Sequence, residues 1–396
     1  MTTLNINQLR KDTHACEQVL HFNNAGAALM PSHVVQAMKQ HLDLEASIGG
    51  YEAADKASTL LDDFYDAAAL LIQASRDEIA FTENATRAWE MAFYSLPFQS
   101  GDRILTSSAE YASNYLAFLQ RAKQTGLIID VVKDDEFGQL DTQDLAQKMN
   151  KHVKLIAITH IPTQGGLINP AEKVGEIAKN WRVPYLLDAT QSVGQMPVDV
   201  NKIGCDFLCA TGRKYLRGPR GTGFLYARKA CIAQMEPPFI DLHAARWIDD
   251  SHYLLRDDAL RFETWEQNYA GKLGLRAAIR YALNLDPRVT WKRIQYLAHD
   301  LRQQLLQIPG IVIQDQGEHQ CGIVTFSSNV KSPEDIQRYL GTQKINVSVS
   351  LLEYARLDLA KRNLPSVVRA SVHYYNTEAE IELFCDVLSR WVKTQI

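Results

Sequence analysis

The sequence is poor in cysteine, has no long apolar run and carries no strong excess of either charge. Its six cysteines in 396 residues (Cys16, Cys205, Cys209, Cys231, Cys321 and Cys385) are too scattered for a disulfide framework. Cys205 and Cys209 are the one close pair, and no His or Cys cluster stands near them to complete a zinc site. The thiols therefore read as reduced, and no metal is expected. The longest apolar run, Ala67 to Ile72, is far short of a membrane span, and the opening MTTLNINQLRKDTHACEQVL lacks the apolar stretch of a secretory signal. A net charge of −4 gives no basic field to recruit nucleic acid or anionic lipid. The expectation is a cytoplasmic protein whose partner is a small molecule.

What is present is an ordinary globular composition, 46% hydrophobic and 22% charged, which excludes a largely disordered chain. At about 150 residues per domain the length allows two or three domains. Short apolar runs alternate with amphipathic stretches. Helices are expected over Pro31 to Ala46, Leu60 to Ala74 and from Ala85. Strands are expected at Glu78 to Thr82, Arg103 to Thr106, Ile128 to Val132, Leu155 to Thr159, Pro184 to Leu187, Phe207 to Ala210 and Gly223 to Tyr226. Nearly continuous apolar strands between helices indicate a parallel sheet covered on both faces. Such sheets bind ligands at the carboxyl ends of their strands. From about Asp286 the pattern changes to a long helix (Trp291 to Gln307), strands at Gly310 to Ile313, Gly322 to Phe326 and Ile345 to Val349, a helix at Pro333 to Leu340 and a last one from Thr377. That is a compact α+β unit.

Three segments after strand ends carry candidate chemistry. Thr211-Gly212-Arg213-Lys214, followed by Gly218, Gly221 and Gly223, reads either as a phosphate or carboxylate site with a reactive lysine, or as a basic solvated turn. Asp188-Ala189-Thr190-Gln191-Ser192 closes a buried strand. Its aspartate could keep a heterocyclic nitrogen protonated, or cap the next helix. Phe81-Thr82-Glu83-Asn84-Ala85-Thr86 runs into a helix start whose free N–H groups suit a phosphate, or is an ordinary cap. His160, in Thr159-His160-Ile161, is either a ligand contact or a buried core histidine.

Taken together and in this order, the segments resemble the class V aminotransferase family of pyridoxal-phosphate (PLP) enzymes, from Phe22-Asn23-Asn24-Ala25-Gly26 to Arg369 and the residues after it. The resemblance implies an α/β fold of PLP fold type I. A large PLP-binding domain (residues 21–284) would hold a mostly parallel seven-stranded sheet. A smaller α+β C-terminal domain (285–396) would have residues 1–20 packed against it. It implies Lys214 as the catalytic Schiff-base lysine, Asp188 as partner of the pyridinium nitrogen, and Gln191 at the ring hydroxyl. Ala85, Thr86, Thr211 and Arg213 would lie around the phosphate, Tyr111 would stack on the ring, and His160 would touch the cofactor. Arg369 would clamp the substrate carboxylate, and Gly26 and Ala27 would also bind substrate. His243 is expected to be structural or dimer-related, and His373 to be a strand residue without a role. A homodimer is implied. Thr264-Trp265-Glu266-Gln267-Asn268 replaces the family's usual cross-subunit phosphate motif, with Arg217 or Asn268 as substitutes for its contact.

Desulfurases of the family carry a nucleophilic cysteine ahead of the carboxylate-binding arginine, and the stretch from Asn346 to Val368 has none. The expectation that follows is a C–S lyase, not a persulfide-forming desulfurase. It would perform α,β-elimination on an L-cysteine S-conjugate or sulfoxide, giving keto acid and ammonia. The alternatives are an aminotransferase or epimerase of a small amino acid, and a non-catalytic PLP-fold binding protein.

Overall fold

Alternate residues of one buried strand face opposite ways, and this decides the architecture. In Val153–Thr159, Ile156 and Ile158 enter one core while Leu155 and Ala157 enter another. The computed structural model, which describes residues 4–393, places this strand in the interior of a seven-stranded sheet. The strands are β1 (Ile79–Thr82), β2 (Arg103–Thr106), β3 (Ile128–Val131), β4 (Val153–Thr159), β5 (Tyr185–Asp188), β6 (Phe207–Thr211) and β7 (Gly223–Ala227). Their spatial order is β1-β7-β6-β5-β4-β2-β3, with β7 antiparallel to both neighbours and the other pairs parallel. The fold class is α/β, mostly parallel.

Helices α1 (Ser32–Ile48), α2 (Gly50–Ile72), α3 (Ala85–Tyr94), α4 (Ala112–Thr125) and α5 (Ala171–Trp181) follow in chain order. Trp89, Phe93 and Phe118 of α3 and α4 cover one face of the sheet, while Phe64, Ile72 and Val174 of α2 and α5 cover the other. Each fully buried Leu, Ile or Phe contributes on the order of 1.5–3 kcal/mol. Helix α2 starts well before the expected Leu60. Gly49, at φ 98°, makes the only break from α1, and the small buried faces of Ala53 and Ala57 continue the helical stripe beyond it. The sequence pattern predicts no element between Ala245 and Asn284. A hairpin, β8 (Ala245–Asp249) with β9 (His252–Leu255), and helix α6 (Tyr269–Asn284) stand there.

After α7 (Pro287–Leu306), a four-stranded antiparallel sheet forms from β10 (Ile311–Ile313), β11 (Ile323–Ser328), β12 (Ser348–Leu351) and β13 (Ser366–Ser371), in the order β10-β11-β13-β12. The expected strand at Ile345 to Val349 is divided. Ile345–Asn346 pairs with Leu20–His21, and β12 starts at Ser348 on β13. The core of this part takes Leu9, Cys16 and Phe22 from the amino-terminal segment together with Leu301, Phe326 and Leu388. The extreme residues of the expected limits, 1–3 and 394–396, lie outside the described residues. Among the described residues no helix is long and apolar enough to cross a membrane.

Candidate active site

The parallel strands end on Thr159, Asp188 and Thr211, and the antiparallel β7 begins beside them at Gly223. A Cβ on Gly223 would meet Ala210 O at 2.5 Å and Asn84 C at 3.0 Å, so only glycine lets the start of α3 rest on the sheet here. A cavity of about 430 Å³ lies at this edge. Eight of the expected residues line it: Ala85, Thr86, Tyr111, Asp188, Gln191, Thr211, Arg213 and Lys214. Asn84, Asn114, Thr159, Ile161 and Thr163 join them. Asn84 caps α3 by accepting from Arg87 N at 2.9 Å, and Ala85 and Thr86 of the first turn, whose N–H groups have no partner within the helix, line the cavity.

Charge is unevenly divided. Burial pushes the Lys214 amine down to about 7, and the Arg213 and Arg369 guanidiniums reinforce the shift. Burial likewise pushes Arg369 down to about 10. Arg213 lines the cavity and Arg369 stands close behind it, beside a wall whose acidic residue is Asp188, an arrangement that attracts anionic groups of a ligand. Asp188 is fixed from two sides: Oδ1 accepts from Thr190 N at 2.9 Å and Oδ2 from Asn114 Nδ2 at 2.9 Å.

Arg369, in the middle of β13, backs the cavity through Thr163, donating to Thr163 Oγ1 at 2.6 Å and to Asn23 Oδ1 at 3.2 Å. Its Nε is buried without a partner. Gly26 and Ala27 stand behind the wall as a turn. A Cβ on Gly26 would meet Asn23 Oδ1 at 2.5 Å, Gly26 O accepts from Arg213, and Ala27 O accepts from His21 Nε2 at 2.8 Å. The same turn holds Gln191, whose Nε2 donates to Ala25 O at 3.1 Å while its buried Oε1 has no partner.

Several expected residues lie elsewhere. His160 is buried beside Thr159 and Ile161 but does not line the cavity, and burial pushes its imidazole down to about 4, leaving it neutral. His373 lies beyond β13 rather than in a strand, because Asn376 Oδ1 takes its N–H at 2.8 Å and turns the chain. His243 Nε2 lies 3.2 Å from Glu263 Oε2, outside the cavity. Arg217 is fully buried and donates to Leu29 O at 2.9 Å and Tyr374 OH at 3.0 Å. It is therefore spent within its own chain, and the expectation that it substitutes in a cross-subunit phosphate contact is corrected. Asn268 caps α6, its Oδ1 accepting from Gly271 N at 2.7 Å.

Two residues that the sequence reading passed over complete the site. Glu110 is buried, and its Oε1 accepts from Thr159 Oγ1 at 2.5 Å and from Asn114 Nδ2 at 2.8 Å. Asn114 stands four residues after Glu110, one turn along the start of α4, and that spacing is the signal in the sequence.

The residues present fit PLP. A lysine held near neutrality, an aspartate tied in place, an orphaned glutamine acceptor and a cationic end beside a helix N-terminus answer its aldehyde, ring nitrogen, ring hydroxyl and phosphate. Sheet and site together define a PLP-dependent enzyme of fold type I. The chain belongs to the aminotransferase class V family, whose model matches residues 20–384, and PLP is its cofactor.

Among similar proteins is a probable cysteine desulfurase of Pyrococcus abyssi, 32% identical, the match covering 98% of this chain and 97% of the relative. Another, from Methanothermobacter thermautotrophicus, is 30% identical with 98% of each covered. The apo structure of a cysteine desulfurase from Thermococcus onnurineus NA1 superposes with a TM-score of 0.93 at 29% identity, covering 100% of both chains. These likenesses overturn the expected C–S lyase yielding keto acid and ammonia, its aminotransferase or epimerase alternative, and the exclusion of a desulfurase. The stretch from Asn346 to Val368 does lack cysteine, yet chains named desulfurases match from end to end.

Proposed function

We propose that this chain is a PLP-dependent cysteine desulfurase that takes sulfur from L-cysteine and leaves L-alanine. The end-to-end likeness to chains named cysteine desulfurases carries the reading. Bound PLP would supply an electron sink for negative charge developing at the α-carbon of the amino acid. Lys214 anchors the cofactor and, with its amine near neutrality, is the catalytic base whose Nζ moves the α-proton. Asp188, held by Asn114 and Thr190, keeps the ring nitrogen protonated. Gln191 Oε1 accepts from the ring hydroxyl, and Tyr111 stacks on the ring. The first turn of α3 at Ala85 and Thr86, with Thr211 and Arg213, receives the phosphate. Arg369 turns its fork from Thr163 to the substrate carboxylate, and the Gly26-Ala27 turn braces Arg213 beside it.

The reading includes a cytoplasmic homodimer. Free thiols at all six cysteines fit a reducing compartment. Leu242, Trp247, Leu254 and Trp265 are exposed on and around the β8–β9 hairpin, an apolar surface of the kind that pairs with a second copy. Light scattering of the eluting holoenzyme tests it, and a monomer at micromolar concentration would sink it. The activity is tested by supplying L-cysteine and excess dithiothreitol to the holoenzyme. Alanine and sulfide in equal amounts are expected. Pyruvate and ammonia in place of alanine would refute the desulfurase reading.

A further inference from the structure

A desulfurase must hand its sulfur to a thiol, and the cysteines of this chain are badly placed to receive it. None of the six lines the cavity. Cys209 stands on β6 opposite Asp188, but it is fully buried within the sheet. Burial and the Asp188 carboxylate push that thiol well above its ordinary range. Cys321 is buried in the second core, with its backbone N–H bonded to Gly166 O at 2.8 Å, and burial pushes its thiol up to about 12. Cys16 and Cys385 belong to that same core. Cys231 packs against the core under α3 and α4, with its Sγ near Asp206, before the amino end of β6 and so at the opposite edge of the sheet from the cavity.

The segment between β12 and β13 cannot swing a thiol in either. It carries no cysteine, and it is tied at several points. Leu352 N bonds Pro365 O at 2.9 Å, Lys361 Nζ lies 2.6 Å from Asp134 Oδ2, and Arg362 donates to Gln314 O at 2.5 Å. Lys214 and Arg369, which bracket the reacting amino acid in the proposed function, are only 8% and 7% exposed. A docked protein would have to insert a side chain deeply to reach between them. A small molecule need only diffuse in.

Resting on the desulfurase reading, we propose that the sulfur acceptor is a free low-molecular-weight thiol that enters the cavity as a second substrate and leaves as its persulfide. The step is L-cysteine plus R–SH giving L-alanine plus R–S–SH. The Cβ–S bond breaks and its electron pair stays with the carbon, which takes a proton and becomes the alanine methyl. A new S–S bond forms to the acceptor sulfur, which gives up its proton as it attacks in the thiolate form. The β-carbon is reduced by two electrons and the transferred sulfur is oxidised by two, so no outside oxidant or reductant enters.

The test uses the holoenzyme, L-cysteine and 2-mercaptoethanol as probe, following alanine, the alkylated small-molecule persulfide, and the intact mass of the protein. Alanine formation is expected to rise roughly tenfold or more to saturation with added thiol, faster at pH values that ionise it. The persulfide is expected on the probe, and the protein mass should stay unchanged. A single-turnover burst of alanine without added thiol would overturn the proposal if one sulfur atom appeared on a cysteine of the chain, and if Cys209→Ala, Cys231→Ala or Cys321→Ala removed it. An alanine rate that ignores the probe, with no persulfide on either the probe or free cysteine, would overturn it equally. Pyruvate without alanine at every thiol concentration would instead overturn the desulfurase reading on which it rests.

Discussion

Glu110 and Asp188 share a single donor: Asn114 Nδ2 lies 2.8 Å from Glu110 Oε1 and 2.9 Å from Asp188 Oδ2. Two buried carboxyl groups linked this closely cannot both be charged cheaply. Burial pushes Glu110 up to about 7. The hydrogen bonds from Thr159 and Asn114 oppose the rise, and the Asp188 charge adds to it. Glu110 therefore holds its proton up to about 7. In the proposed function it is a positioning residue, acting through Asn114 and Asp188 and through the Tyr111 N–H and Thr159 hydroxyl that it also accepts from.

A pH dependence of stability follows. In the unfolded chain Glu110 gives up its proton near 4.5, while in the fold it keeps it to about 7. Between those values the folded state binds more protons, so the contribution is present below 4.5 and is lost as pH rises through 7. Its full size is on the order of 3 kcal/mol. Urea denaturation of cofactor-free protein across that window should show wild type weakening with pH and Glu110→Gln nearly flat by comparison. Parallel slopes for the two proteins would count against the assignment.

Lys214 gives the opposite sign at higher pH. Its amine titrates at about 7 in the fold and near 10.5 when exposed. Between these values the unfolded chain binds the extra proton, so cofactor-free stability rises with pH across the window. Lys214→Ala should abolish that rise. The same substitution should remove the visible absorption that PLP shows when joined to a lysine. Retention of that band in Lys214→Ala would place the cofactor on another residue.

Arg369 distinguishes binding from chemistry. Its guanidinium is buried, and both arms are already hydrogen-bonded, to Thr163 and Asn23. In the proposed function substrate exchanges one good partner for a better, charged one. Arg369→Lys keeps the charge but loses the fork, and kcat/KM for L-cysteine should fall about 100-fold, chiefly in KM. The dissociation constant for PLP should change little. A loss of PLP affinity with KM intact would move Arg369 from the substrate to the cofactor.

Much of this was legible in the sequence because burial on both faces writes itself as continuous apolar runs. Leu186-Leu187 and Leu208 announce β5 and β6, and the residues that follow them, Asp188 and Thr211 to Lys214, then fall at the site edge. What was not legible depends on contacts between distant segments. Nothing near Glu110 in the chain shows that Thr159, 49 residues on, will donate to it. The hairpin at Ala245–Leu255 escaped because its side chains are mostly exposed and so lack an alternating core face. The burial of Arg217 is hidden in the sequence because a basic residue among glycines ordinarily faces solvent. Its burial is created by Tyr374, Tyr375 and the amino-terminal segment, all far away in sequence. The absence of cysteine between Asn346 and Val368 is likewise local, and it points away from a desulfurase where the likeness over the length of the chain points toward one.

Arg217 supplies the last prediction. It is wholly buried with no carboxylate among its partners. Leu29 O, Tyr374 OH and Thr13 Oγ1 accept from it, and its guanidinium carbon lies 4.4 Å from the centre of the Tyr375 ring. It therefore clamps the amino-terminal segment to the turn after β13, three residues along the chain from Lys214. Arg217→Ala leaves several acceptors unpaired and a cavity among aromatic rings, and should cost on the order of 3 kcal/mol. Arg217→Lys should recover little, since one ammonium cannot serve three separated acceptors and stack on a ring as well. Thermal denaturation of cofactor-free protein measures this, and PLP titration separates it from a cofactor role. If Arg217→Ala weakens PLP binding while Tm holds, the arginine is a phosphate ligand. If Tm drops and the surviving folded protein binds PLP as wild type does, it is the clamp its hydrogen bonds describe.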